Sequence, residues 1–135
     1  MKQETIMLKT YIDVKNEYVN STTELFPGMA VKRNAAGLLI VDPEGVGVLT
    51  IVTEDEFSGK TIRDSYPAGV GVNTWNANTG DMAAMRAANG TTFNRGDLIS
   101  IENGLVRVGT ANIIGVADEA VVTSADNPFV AVVIK

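Results

Sequence analysis

Apolar and polar positions alternate over short spans of this chain, and glycines break the alternation at close intervals. A period of two bounded by turn residues is the signature of short β-strands rather than of helices. The pattern predicts strands near 5–14, 28–33, 37–41, 46–53, 69–73, 81–87, 97–102, 105–109, 113–117 and 129–134. The clearest is the hairpin DLISIENGLVRV at 97–108. There Leu98, Ser100 and Glu102 alternate with Ile99 and Ile101, and Asn103-Gly104 supplies the two positive-φ positions of a type I′ turn. The final run FVAVVIK, after Pro128, is apolar on both faces and predicts a central strand. GDMAAMRAAN at 80–89 reads two ways: Asp81 could cap a helix of alanines, or Met82, Ala84 and Arg86 could share one face of a strand. Gly80 and Gly90 bound it tightly, so a strand is expected.

Composition agrees, with 17 Val, 10 Ile and 13 Thr against 7 Leu. Side chains branched at Cβ suit a pleated, half-buried surface. At 135 residues the chain has room for one well-filled domain. Ten short strands left in one flat sheet would expose edges that invite aggregation. The expected fold is therefore all-β, a small β-barrel or sandwich spanning 23–135, preceded by an extended N-terminal arm at 1–22.

A loose internal repeat is visible. Phe26–Arg33 followed by Gly37–Val41 parallels Asn94–Ile101 followed by Gly104–Val108, with Gly28 matching Gly96 and Gly37 matching Gly104. Each would be a glycine entry, a strand, a glycine turn and a returning strand. Duplication and convergent hairpin chemistry account for this equally well.

Charge and chemistry narrow the function. Sixteen acidic against eleven basic residues give −5, the wrong sign for a phosphate-binding surface, so no nucleic-acid partner is expected. The chain has no cysteine and no histidine, which removes disulfides, thiolate nucleophiles, Ser-His-Asp triads and the usual zinc sites. The carboxylate run Glu54-Asp55-Glu56 lacks the spacing of a calcium loop, and Asp118-Glu119 is a smaller case of the same kind. Ala84-Met85-Arg86 is similar to the Ala-Met-Lys hairpin of biotinyl carriers, but Arg86 cannot serve as the acyl acceptor. Gly69-Val70-Gly71-Val72 lacks the third glycine of a dinucleotide fingerprint. No catalytic residue, cofactor or metal is expected. The polar start MKQETIMLKT and the lack of a long apolar span predict a soluble chain made in a cytoplasm, with no membrane partner.

The segment TEDEFSGKTIRDSYPAG at 53–69 and the run from Gly80 to Val121 resemble the small β-rich capsid decoration, or cement, proteins of tailed bacteriophages. The matching positions are Tyr66 with Gly69, Gly80-Asp81, Gly96-Asp97-Leu98 with Gly104-Leu105, and Ile114 through Ala120. The resemblance spans roughly 50–135 and, more loosely, 26–49. It implies a structural virion protein on the outer surface of the head, made in the host cytoplasm, whose partner is the major capsid protein. It also implies self-association, a trimer ahead of a dimer. A tail or baseplate accessory module and a small carbohydrate-binding domain are the alternatives.

Two features are candidate contacts. In the arm, Ile6, Leu8, Ile12 and Val14 share one face of an extended strand, while Met7, Lys9, Tyr11 and Asp13 share the other. The expectation is that this strand adds to a sheet edge on a capsid subunit or a neighbouring protomer, Tyr11 included; an ordinary first strand of the domain is the alternative. Trp75, among turn formers in VNTWNANTG, is either a lid on the core or an exposed anchor for a partner.

Overall fold

The computed structural model describes residues 5–9, 15–20, 24–55 and 58–135. Thirteen strands are assigned among them: β1 Met7–Lys9, β2 Lys15–Val19, β3 Ala30–Arg33, β4 Leu39–Val41, β5 Thr50–Val52, β6 Gly71–Asn76, β7 Met82–Arg86, β8 Thr92–Phe93, β9 Leu98–Glu102, β10 Leu105–Val108, β11 Gly115–Ala117, β12 Val121–Val122 and β13 Phe129–Ile134. They form a five-stranded sheet in the order β2-β6-β5-β3-β4, a six-stranded sheet in the order β1-β7-β13-β11-β9-β10, and the small pair β12-β8. Every pairing between strands is antiparallel. The fold is all-β and sandwich-like, and no sheet closes into a barrel among the described residues.

The ambiguous stretch at 80–89 is strand β7, which pairs with β13 over five residues, from Arg86↔Phe129 to Met82↔Val133. Burial on both sides decides this over helix propensity: Ala83, Ala84 and Met85 are all fully buried. The hairpin at 97–108 forms in the expected register, Glu102 opposite Leu105, with φ of 50° at Asn103 and 81° at Gly104. β13 is central, flanked by β7 and β11.

The internal repeat extends over nearly the whole chain. The order β2-β6-β5-β3-β4 recurs as β7-β13-β11-β9-β10. Registers correspond pair by pair: Lys15↔Trp75 matches Met82↔Val133, Ile51↔Trp75 matches Val116↔Val133, Ala30↔Ile51 matches Leu98↔Val116, and Val31↔Val41 matches Ile99↔Val108. The turns match as well. Gly28 and Gly96, at φ of 90° and 93°, donate to the carbonyls of Val52 and Ala117, each over 2.8 Å. Where the Asp97 carboxylate accepts from the Asn94 N–H at 2.8 Å, the Met29 sulfur faces the Phe26 N–H at 3.4 Å. Hairpin chemistry alone would not reproduce five strands in one order and register, so the molecule consists of two structurally equivalent halves.

Packing joins the halves. The larger core combines Ala30, Leu49, Ile51, Ile62 and Trp75 of the first half with Met85, Phe93, Ile101, Phe129 and Ile134 of the second. A smaller core of Leu25, Met29, Val31, Leu39, Val52, Tyr66 and Val72 lies wholly in the first half. Within it the Tyr66 hydroxyl donates to the Thr53 carbonyl at 2.7 Å, and burial raises that hydroxyl's pKa above the ordinary tyrosine range.

Candidate functional site

The expected contact residues do not gather at one surface. Trp75 stands on β6, opposite Lys15 and Ile51, and is fully buried in the larger core. The exposed-anchor reading is corrected: Trp75 supplies apolar area to the larger core from the first half. Turn formers flank it, yet it lies within β6, a strand paired with β2 on one edge and β5 on the other.

The arm is corrected in part. Ile6 is fully buried in the core, and its carbonyl accepts from the Ala84 N–H at 2.9 Å. β1 pairs with β7, and Leu8 packs against the same core, half-buried. Ile6 and Leu8 are therefore domain residues, because β7 presents an edge that the chain's own N-terminal strand satisfies. β2, also within 1–22, pairs with β6 over five residues. Tyr11, Ile12 and Val14 lie outside the described residues.

Arg86, at the position a carrier would give to its modified lysine, clasps the two halves together. Its Nε donates to the Pro27 carbonyl at 3.0 Å and its Nη2 to the Ile62 carbonyl at 3.2 Å. The guanidinium lies between the rings of Phe26 and Phe129, 4.8 Å from each centroid. Burial, with a smaller push from the Arg63 charge, lowers its pKa to about 10, which leaves it charged at neutral pH.

The surface that sequence reasoning missed is a groove of about 450 Å³ on the first half. Tyr18, Lys32, Arg33, Val46, Val48 and Thr50 are among the residues that line it. The Arg33 guanidinium sits 4.6 Å from the centre of the Tyr18 ring, and Lys32 Nζ lies 3.6 Å from the buried Asp42 carboxylate. Both cations are thus held at the groove wall rather than free to sweep solvent. Val46 and Val48 are 51% and 70% exposed. The signal in the sequence was Gly45-Val46-Gly47-Val48, whose alternation reads as a strand but which the structure places in a loop ahead of β5.

No group of three or more metal-ligating side chains comes together among the described residues. Glu54 and Asp55 are half-buried ahead of a turn, and Glu56 lies outside the described residues. No described helix is long and apolar enough to cross a membrane. The chain matches no protein-family model and no curated protein sequence.

Proposed function

We propose that this protein is a structural component of a bacteriophage virion that binds the outer surface of the assembled head and clamps neighbouring major capsid subunits. The observation that carries the reading is the use this fold makes of the motifs behind the resemblance. Gly80-Asp81 and Gly96-Asp97 build the same turn: each glycine has φ of 93°, and each aspartate accepts from the N–H three residues before it at 2.8 Å. Ile114–Ala120 carries β11, and its Glu119 carboxylate accepts from the Ala131 N–H of β13 at 2.7 Å. These motifs frame the body and leave its loops and faces for contacts. Exposed apolar side chains sit in separate places on that body: Val46 and Val48 beside the groove, Leu98 and Val108 at the β9–β10 hairpin, and Val122 on β12.

A rigid body with several small apolar faces suits a clamp better than a single deep pocket would. Each further contact made on an already bound body is intramolecular, so modest contacts combine into tight attachment. Binding only to the expanded lattice stabilises that lattice by mass action. The carbohydrate reading loses the aromatic it relied on, since Trp75 is buried.

The test is to add the full chain to purified heads assembled from the capsid protein of the same phage, then measure cosedimentation and image by electron microscopy. The expected result is saturable binding, density repeating on the outer lattice, and heads that resist a higher temperature. Density confined to tails would replace this reading with the tail-accessory one. Absence of cosedimentation at micromolar concentration would remove both.

A further inference from the structure

One face differs sharply in chemistry between the equivalent halves. In the five-stranded sheet it carries Val31, Leu39, Val52 and Val72 of the smaller core. The strand register puts Tyr18, Arg33, Thr50 and Asn76 on that same face. Their counterparts in the second half are Met85, Ile101, Gly115 and Ile134. Met85, Ile101 and Ile134 belong to the larger core, and Gly45 of the first half lies so close over Ile101 that an added Cβ would stand 3.0 Å from its Cγ1. The four first-half residues instead line the open groove of about 450 Å³. Covering them with an apolar partner would strand their polar groups, so the groove suits a polar occupant.

The groove wall offers donors and a positive charge. The Thr50 hydroxyl donates to the Asn76 Oδ1 at 2.8 Å, which leaves the Asn76 amide N–H groups without an acceptor among the described residues. Lys32 is held by Asp42, whereas no carboxylate of the described residues pairs with Arg33. The Arg33 guanidinium is stacked on Tyr18, so its fork of N–H groups is preset in the geometry that takes a carboxylate through two bonds. None of the described lining residues is acidic. Beside these donors stand the exposed Val46 and Val48, on a loop where Gly45 and Gly47 have φ of 73° and 88°. The chain as a whole carries −5, so its field turns an acidic segment away from most of the surface and leaves this groove as the attractive place. An open groove with an apolar margin accommodates a passing stretch of chain, where a small molecule calls for enclosure.

We propose that this groove seats an extended acidic peptide segment of a partner protein. A carboxylate side chain takes the Arg33 fork, the Asn76 amide is a second donor to the segment, and apolar side chains next to the carboxylate lie against Val46 and Val48. The proposal does not depend on the capsid reading, and its test uses no heads.

The test is to record amide NMR spectra of the full chain while titrating a capped peptide of alternating valine and glutamate. Saturable shifts are expected at Tyr18, 32–33, 46–50 and Asn76, with binding about tenfold weaker when glutamine replaces the glutamates. Arg33→Gln is expected to weaken the peptide by a similar factor while melting close to wild type, because Arg33 is exposed. Arg107→Gln, which removes an exposed cation of the second half, is expected to leave binding unchanged. The proposal is overturned by the absence of saturable shifts at millimolar peptide, or by shifts centred on Arg95 and Arg107 instead of the groove. It is equally overturned if the glutamine peptide, or the Arg33→Gln variant, binds as tightly as the original pair. Inorganic phosphate shifting the same amides as strongly as the peptide would replace the peptide groove with a general anion site.

Discussion

Gly104 shows how much one position can carry. Its φ of 81° lies in the left-handed region, and a Cβ there would stand 3.0 Å from the Met29 Cε and 3.2 Å from the Ala30 carbonyl oxygen. It closes the β9–β10 turn and also hydrogen-bonds to both Ala30 and Asp42 of the other half. A branched side chain must pay backbone strain of about 1–3 kcal/mol and also push the halves apart. Gly104→Val is therefore expected to lower the urea midpoint clearly, while Lys60→Ala, at an exposed position, costs no more than about 0.5 kcal/mol of stability and leaves the midpoint near wild type. Equal midpoints would show that the turn is not the joint described. Trp75 is the converse lesson at this scale: its neighbours in sequence are turn formers, yet its own side chain is fully buried core.

Among the elements, β7 has the most demanding role. Both of its edges and its last side chain have partners: β13 on one side, β1 and Gly28 on the other, and Arg86 laid between Phe26 and Phe129. Removing the guanidinium in Arg86→Leu leaves the Pro27 and Ile62 carbonyls without that donor, which is expected to cost on the order of 2 kcal/mol or more. Arg86→Lys keeps the charge but cannot stack a plane between two rings and donate in a fork at once. The expected order of urea midpoints is wild type, then Lys, then Leu. A lysine variant as stable as wild type would mean that charge alone suffices there. The arm's fate belongs to the same scale. An edge strand with an apolar face pairs with whatever edge is nearest, and for residues 7–9 that edge is β7 of their own chain.

For the whole molecule, the larger core draws on both halves, so neither half can keep that core alone. Unfolding is expected to be a single cooperative transition. The lone Trp75 reports on the first half, while far-UV circular dichroism reports on both sheets, and the two melting curves are expected to coincide. Separate midpoints would show that the equivalent halves fold as independent units.

The chain's own pattern determined the strand-rich character, the position of most strands, the type I′ turn at Asn103-Gly104 and the strand at 82–86, because period-two burial and positive-φ turns are local properties. It carried the repeat only faintly, through four glycines, since strands of one register tolerate very different side chains so long as the inward face stays apolar. Pairs such as Ile101 and Arg33, or Met85 and Tyr18, occupy equivalent positions with unlike chemistry. Their difference follows from what covers them: the first half lies over Ile101 in the second, while the face holding Arg33 stays open. The strand β2 at Lys15–Val19 lay beyond the predicted strand at 5–14, and the short strands β8 and β12 escaped notice because two residues set no period. The destinations of Trp75, Ile6 and Arg86 were likewise beyond any local pattern. Each is fixed by partners far away in sequence, which only the tertiary packing brings into reach.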